Sequence, residues 1–107
     1  MRMHQVYKIR REAMGLTQKD VALLANISNA TVGKFENGDE VSAVYRDVIM
    51  RTIDNELNHL DKATYYRIML TTNLLSLEGE PVESQIKTLG YMSMYIGKLQ
   101  LELLNSI

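Results

Sequence analysis

Residues able to do covalent or metal chemistry are sparse in this sequence, and their spacing works against them. His4 and His59 lie far apart and in different segments, so neither has a second imidazole at metal-ligand spacing. Solvated or half-buried side chains are expected at both. There is no cysteine, which removes disulfides and thiolate metal sites. Asp54, Glu56 and Asp61 cluster beside one predicted helix end and read as a solvated acidic face. No glycine-rich phosphate loop, nucleophile elbow or P-loop occurs. The expectation is no catalysis, no metal and no cofactor, with function carried by binding.

Charge points to the end that binds. Residues 1–38 hold six bases and three acids, a net +3, whereas residues 39–107 hold six bases and ten acids, a net −4. A basic N-terminal part beside an acidic C-terminal part suits a chain that offers one end to a polyanion. Hydrophobic residues at 46% and charged residues at 23% are the mix of an ordinary globular protein. No apolar run approaches the ~20 residues that span a bilayer, and Met1-Arg2-Met3-His4-Gln5 does not read as a signal peptide. A cytoplasmic protein is expected.

The elements that must position any binding residue are all helical by spacing. A first helix is predicted over about Arg2–Met14, with Val6, Ile9 and Ala13 on one face and Gly15 as its stop. Thr17 reads as an N-cap with Asp20 closing a near capping box, opening a second helix over about Gln18–Ala25. Asn26 tolerates a left-handed turn. Ser28 caps a third helix, about Asn29–Asn37, stopped by Gly38. A turn as short as Asn26-Ile27-Ser28 forces these two helices to cross steeply. Ser42 opens a fourth helix to about Leu60, with Val44, Val48, Ile49, Ile53, Leu57 and Leu60 as its stripe. Asp61 or Thr64 opens a fifth, ending near Leu77. Gly79-Glu80-Pro81 breaks the chain before a last helical stretch over about 82–106. An all-α chain with a head at 1–60 and a helical hairpin tail at 61–107 follows.

Between residues 18 and 35 the small Ala22 sits where two helices would touch, and Val21, Ile27, Val32 and Phe35 supply apolar contacts. With Arg11, Gly15-Leu16-Thr17-Gln18, Val21-Ala22, Ile27-Ser28, Thr31-Val32 and Phe35-Glu36-Asn37-Gly38, the stretch resembles the Cro/repressor (XRE-type) helix-turn-helix family over roughly residues 5–60. Each piece is weak alone; the combination at this spacing is specific. The resemblance implies a lambda-repressor-like fold and a transcriptional regulator that binds double-stranded DNA. It implies that Gln18 touches a phosphate through its side chain or the helix-end amides. Asn29, Ala30 and Lys34 would face the major groove, Asn29 suited to adenine, Lys34 to guanine O6 and N7, and Ala30 to a thymine methyl. Thr31 and Asn37 would position the backbone, and Ser28 would combine capping with phosphate contact. Arg11 and Glu36 would form the family's internal ion pair, or stand as separate surface charges of little energetic weight.

Two features depart from the pattern. Gly33 lies inside the third helix, where it costs about 1 kcal/mol against alanine; it either permits close backbone approach to DNA or loosens the reader. Asp39-Glu40 follow where many relatives carry polar or basic residues, and two acids there repel phosphate. They motivate an alternative in which the chain is a protein-interaction module, antitoxin or anti-repressor-like, with weak or no DNA binding.

In the tail, Val82, Ile86, Leu89, Met92, Ile96, Leu99 and Leu103 recur at spacings of three and four, with Tyr91, Met94, Tyr95, Leu101 and Leu104 beside them. This surface is wider than one hairpin hides. Packing on Tyr65, Ile68, Met69 and Leu75 is expected, together with a homodimer through 82–107. Gly90 and Gly97 either share a helix face or Gly90 divides the segment.

Overall fold

A computed structural model describes residues 2–107; Met1 lies outside the described residues. Six helices account for the regular structure of the described residues: α1 (Met3–Ala13), α2 (Gln18–Ala25), α3 (Asn29–Glu36), α4 (Ala43–Asn58), α5 (Lys62–Leu77) and α6 (Val82–Asn105). The chain is all-α, a helix-turn-helix head followed by a helical hairpin. It divides into two compact units, Arg2–His59 and Leu60–Ile107.

In the first unit the helix ends carry local signals that the sequence advertises. Thr17 accepts from the Asp20 amide at 3.0 Å while Asp20 accepts from the Thr17 amide at 2.8 Å, a full capping box despite aspartate at its third position. Hydrogen bonding from Thr17, that of its amide foremost, holds the Asp20 carboxyl below the usual carboxylate range. Ser28 and Ser42 cap α3 and α4 through the Thr31 and Tyr45 amides. Asn26, at φ 56, ends α2 with the Ile27 amide donating to the Ala22 carbonyl at 3.0 Å, the closure that a left-handed residue makes possible. Gly38 ends α3 the same way at φ +81. The positive φ demands glycine there; a Cβ would also stand 3.0 Å from the His4 ring, which would have to give by a few tenths of an ångström.

The unit's core comprises Tyr7, Val21, Ala22, Val32, Phe35, Ile49, Ile53 and Leu57. Two predicted stripes change. On α1 the buried positions are Tyr7 and Arg11, while Val6 and Ile9 are half-buried and Ala13 is exposed. An apolar-only reading misses a face whose buried atoms belong to a phenol and a guanidinium stem. On α4, Val44 is 70% exposed, because it lies in the first turn, ahead of the stretch that meets α1, α2 and α3. Leu60 falls in the other unit.

Asp54 keeps its side chain 47% exposed but is also partnered. It accepts from the Tyr7 hydroxyl at 2.8 Å and pairs with Arg10 at 3.5 Å, tying α4 to α1. Arg10 also lies over the Tyr7 ring, 5.1 Å from its centroid. Burial first, and then the hydrogen bond and charge of Asp54, push the Tyr7 phenol up to about 12.

In the second unit Asp61, rather than Thr64, caps α5, accepting from the Thr64 amide at 3.1 Å and its hydroxyl at 2.6 Å. Helix α6 runs unbroken through Gly90. Ile68 and Thr72 are the buried residues of α5, and α6 has none. Tyr65, Tyr66 and Tyr95 form an aromatic cluster, with Tyr65 and Tyr95 edge to face at 6.5 Å. Leu75, expected to pack on the tail, is exposed.

The apolar stripe predicted for the tail separates into two faces. Met92 and Leu99 are half-buried, whereas Val82, Ile86, Leu89, Ile96 and Leu103 are exposed. Steps of three and four describe a band wider than one neighbouring helix covers.

Candidate nucleic-acid interface

Helix α3 has two faces of opposite chemistry. Val32, Phe35 and Glu36 are buried. Asn29, Ala30, Lys34 and Asn37 are exposed, and with Gly33 they form two rows four residues apart along one side. One face carries a carboxamide, a methyl and an ammonium in the first six residues of the helix, a set able to meet base edges. The opposite face anchors the helix on α1, α2 and α4.

The helix start is held by hydroxyls. The Ser28 hydroxyl accepts from the Thr31 amide at 3.1 Å and lies 2.7 Å from the Thr31 hydroxyl. Both groups are committed to the cap, yet Ser28 stays exposed, and a capping oxygen keeps further hydrogen-bonding capacity.

A buried polar chain fixes α3 against α1 and α2. Arg11 donates through Nε to Glu36 Oε2 at 2.6 Å and through Nη2 to Oε1 at 2.8 Å, while Nη1 donates to the Leu16 carbonyl at 2.7 Å. Arg11 is 8% and Glu36 6% exposed, so this is the internal ion pair, not two surface charges. Burial raises the Glu36 pKa, but hydrogen bonds from Arg11 and Gln18, with the Arg11 charge, outweigh it and hold the carboxyl below its ordinary range. The same hydrogen bonding from Glu36 drives Arg11 further up. Removing one member would strand a buried charge at about 3–5 kcal/mol.

Gln18 is turned inward: its Nε2 donates to Glu36 Oε1 at 3.0 Å. The carboxamide expected on a phosphate is thus tied to the α3 anchor, with one amide hydrogen left over. This role was legible only in part, since no spacing rule links positions 18 and 36.

Gly33 has ordinary space around it. A Cβ would meet Gln18 Oε1 at 3.5 Å, a normal contact, so the protein's own packing does not demand glycine. Asp39 and Glu40 are exposed and line a cleft of about 470 Å³ together with His4, Gly38 and Arg46. Arg46, which the sequence pattern did not single out, therefore shares a wall with the two acids.

A helix-turn-helix family model matches residues 8–43, from within α1 to the first residue of α4. The head carries a helix-turn-helix domain of the Cro/repressor type. No curated protein and no solved structure matches the chain. The helix-turn-helix match covers about a third of the chain and leaves the hairpin outside it. Helix-turn-helix domains of this family bind double-stranded DNA in transcription regulators, and that general function belongs to this chain. No helix among the described residues is long and apolar enough to cross a membrane.

Proposed function

We propose that the protein is a sequence-specific repressor that occupies its operator as a homodimer. Helix α3 enters the major groove, with Asn29 and Lys34 reading bases and Ala30 making apolar contact. Ser28, Thr31 and Asn37 set the backbone register, and Gln18 contributes from the start of α2. The observation that carries the reading is the exposed row of Asn29, Ala30, Lys34 and Asn37 on a helix whose other face is locked by Val32, Phe35 and the Arg11–Glu36 pair. Pairing two such heads about a two-fold axis joins half-sites one DNA turn apart. Residues 1–60 hold eight bases and eight acids, so a single head with no net charge binds a polyanion weakly.

The test is selection of bound duplexes from a random pool, followed by a salt titration on those enriched. An enriched, roughly palindromic site with a steep fall in affinity with salt is expected. Lys34→Ala should relax base preference, while Gln18→Ala should weaken binding to all sequences. The exposed acids Asp39 and Glu40 favour a second reading, a protein-interaction module. Absence of enrichment at low salt by folded protein would select it.

A further inference from the structure

Helix α6 carries two heptad seams, and only one is occupied. Gln85, Thr88, Met92, Tyr95, Leu99 and Glu102 are half-buried and recur at steps of three and four, the repeat of a helix seated along a neighbour. That neighbour is α5, whose Tyr65 and Tyr66 meet Tyr95. A second series at the same steps runs Val82, Ile86, Leu89, Ser93, Ile96, Gln100 and Leu103, and every member is exposed. In heptad letters Ile86, Ser93 and Gln100 are at a, and Val82, Leu89, Ile96 and Leu103 at d. We propose that this second seam is the surface on which a second copy of the chain packs, as a parallel, in-register helix pair.

Three features select a second copy in that orientation. First, the seam has no charge: Glu83, Lys87, Lys98 and Glu102, the charged residues of α6, all lie off a and d. A partner recognised by charge finds nothing here, and the seam meets its own copy without like-charge repulsion. Second, Ser93 and Gln100 are both at a. Antiparallel packing sets a against d, so in every register these polar groups would face Val82, Leu89, Ile96 or Leu103 and be buried without partners. Parallel in-register packing sets Gln100 against its own copy and Ser93 against its own, so polar meets polar; a lone polar a position is the known device for fixing register. Third, the strip is long. At 1.5 Å per residue, residues 82–103 run roughly 32 Å and the strip is about 10 Å wide, roughly 320 Å² in projection before side-chain relief, a contact at the small end of specific interfaces. Gly90 and Gly97 flank the seam one heptad apart, with nothing within 4 Å of a Cβ at either, leaving room beside it for a neighbouring helix.

The inference rests on the homodimer proposed above and names its surface, and it is read by association rather than by DNA binding. Because the chain has no cysteine, Gln100→Cys places one thiol at the centre of an a layer, and Lys87→Cys places one on the outer side of α6. Air oxidation should convert Gln100→Cys to a disulfide-linked dimer and leave Lys87→Cys largely monomeric under denaturing electrophoresis. Ile96→Glu, with unchanged circular dichroism, should weaken the dimer by about 100-fold or more, since an apolar contact is lost from both copies. Three results would overturn the proposal. One is a wild-type monomer by light scattering at tens of micromolar. Another is a dimer unaffected by Ile96→Glu, and the third is a dimer in which Lys87→Cys cross-links as readily as Gln100→Cys. A monomer that still selects a DNA site overturns the seam alone; a seam-dependent dimer that selects none overturns the operator reading alone.

Discussion

The head and the hairpin are built on opposite economies of burial. Eight of the nine buried apolar residues among those described belong to the head, and Ile68 alone represents the hairpin. The head spends its buried space on a closed core and a fully partnered polar chain, Arg11–Glu36–Gln18 with the Leu16 carbonyl. The hairpin leaves a 24-residue helix with no buried residue. A unit that closes on itself can present one rigid face to a ligand. A unit that stays open on one side must close against something else to hide its apolar surface.

The largest expected effect lies in the head's polar chain. Glu36→Ala should destabilise the Arg2–His59 unit by about 3–5 kcal/mol, because Arg11 is left buried without its carboxylate. Lys87→Ala on exposed α6 should change stability by no more than about 0.5 kcal/mol. Urea unfolding of both variants measures the contrast, and equal effects would break it. The same pair sets an acid limb. The Glu36 carboxyl is depressed in the folded state, so its contribution is fully present above the unfolded value of about 4.3 and is lost as pH falls through the lower folded value. Glu36→Gln should flatten that limb of stability against pH.

The proposed closure by a second copy would make the hairpin's stability depend on concentration. Its unfolding should gain about 1.4 kcal/mol for each tenfold rise in protein, while that of the head stays fixed. Calorimetry at two concentrations separates the two, and a common shift would merge the units into one cooperative body.

Smaller effects sharpen the picture of the head. Tyr7→Phe removes the hydrogen bond to Asp54 and should cost about 1.5 kcal/mol. In the wild type the neutral Tyr7 phenol is favoured by folding, so its contribution is complete below about 10 and disappears as pH rises through about 12. An alkaline absorbance titration should show a late tyrosine that is missing from Tyr7→Phe. Last, Gly33→Ala should raise stability by up to about 1 kcal/mol, since its Cβ meets Gln18 at ordinary distance. A stabilised variant with weakened DNA affinity would assign the glycine to backbone approach; unchanged affinity would leave it as a tolerated cost.

Local stereochemistry made much of the architecture legible in the residues alone. Thr17, Ser28, Ser42 and Asp61 announce helix starts because their short side chains reach the amide three residues on. Asn26 and Gly38 announce stops because they accept positive φ. These signals act within four residues, so sequence is sufficient to read them; the helix-turn-helix and the outward row on α3 came instead from the family resemblance carried by residues 11–38. Tertiary structure decided what distant residues do to one another. It made Tyr7 and Arg11 the buried face of α1, gave the half-exposed Asp54 partners on α1, drew Gln18 onto Glu36, and divided one apolar band of α6 into a covered seam and an open one. Periodicity reports that a face is apolar; which part of it is covered depends on the width of the neighbouring helix and the angle at which it packs.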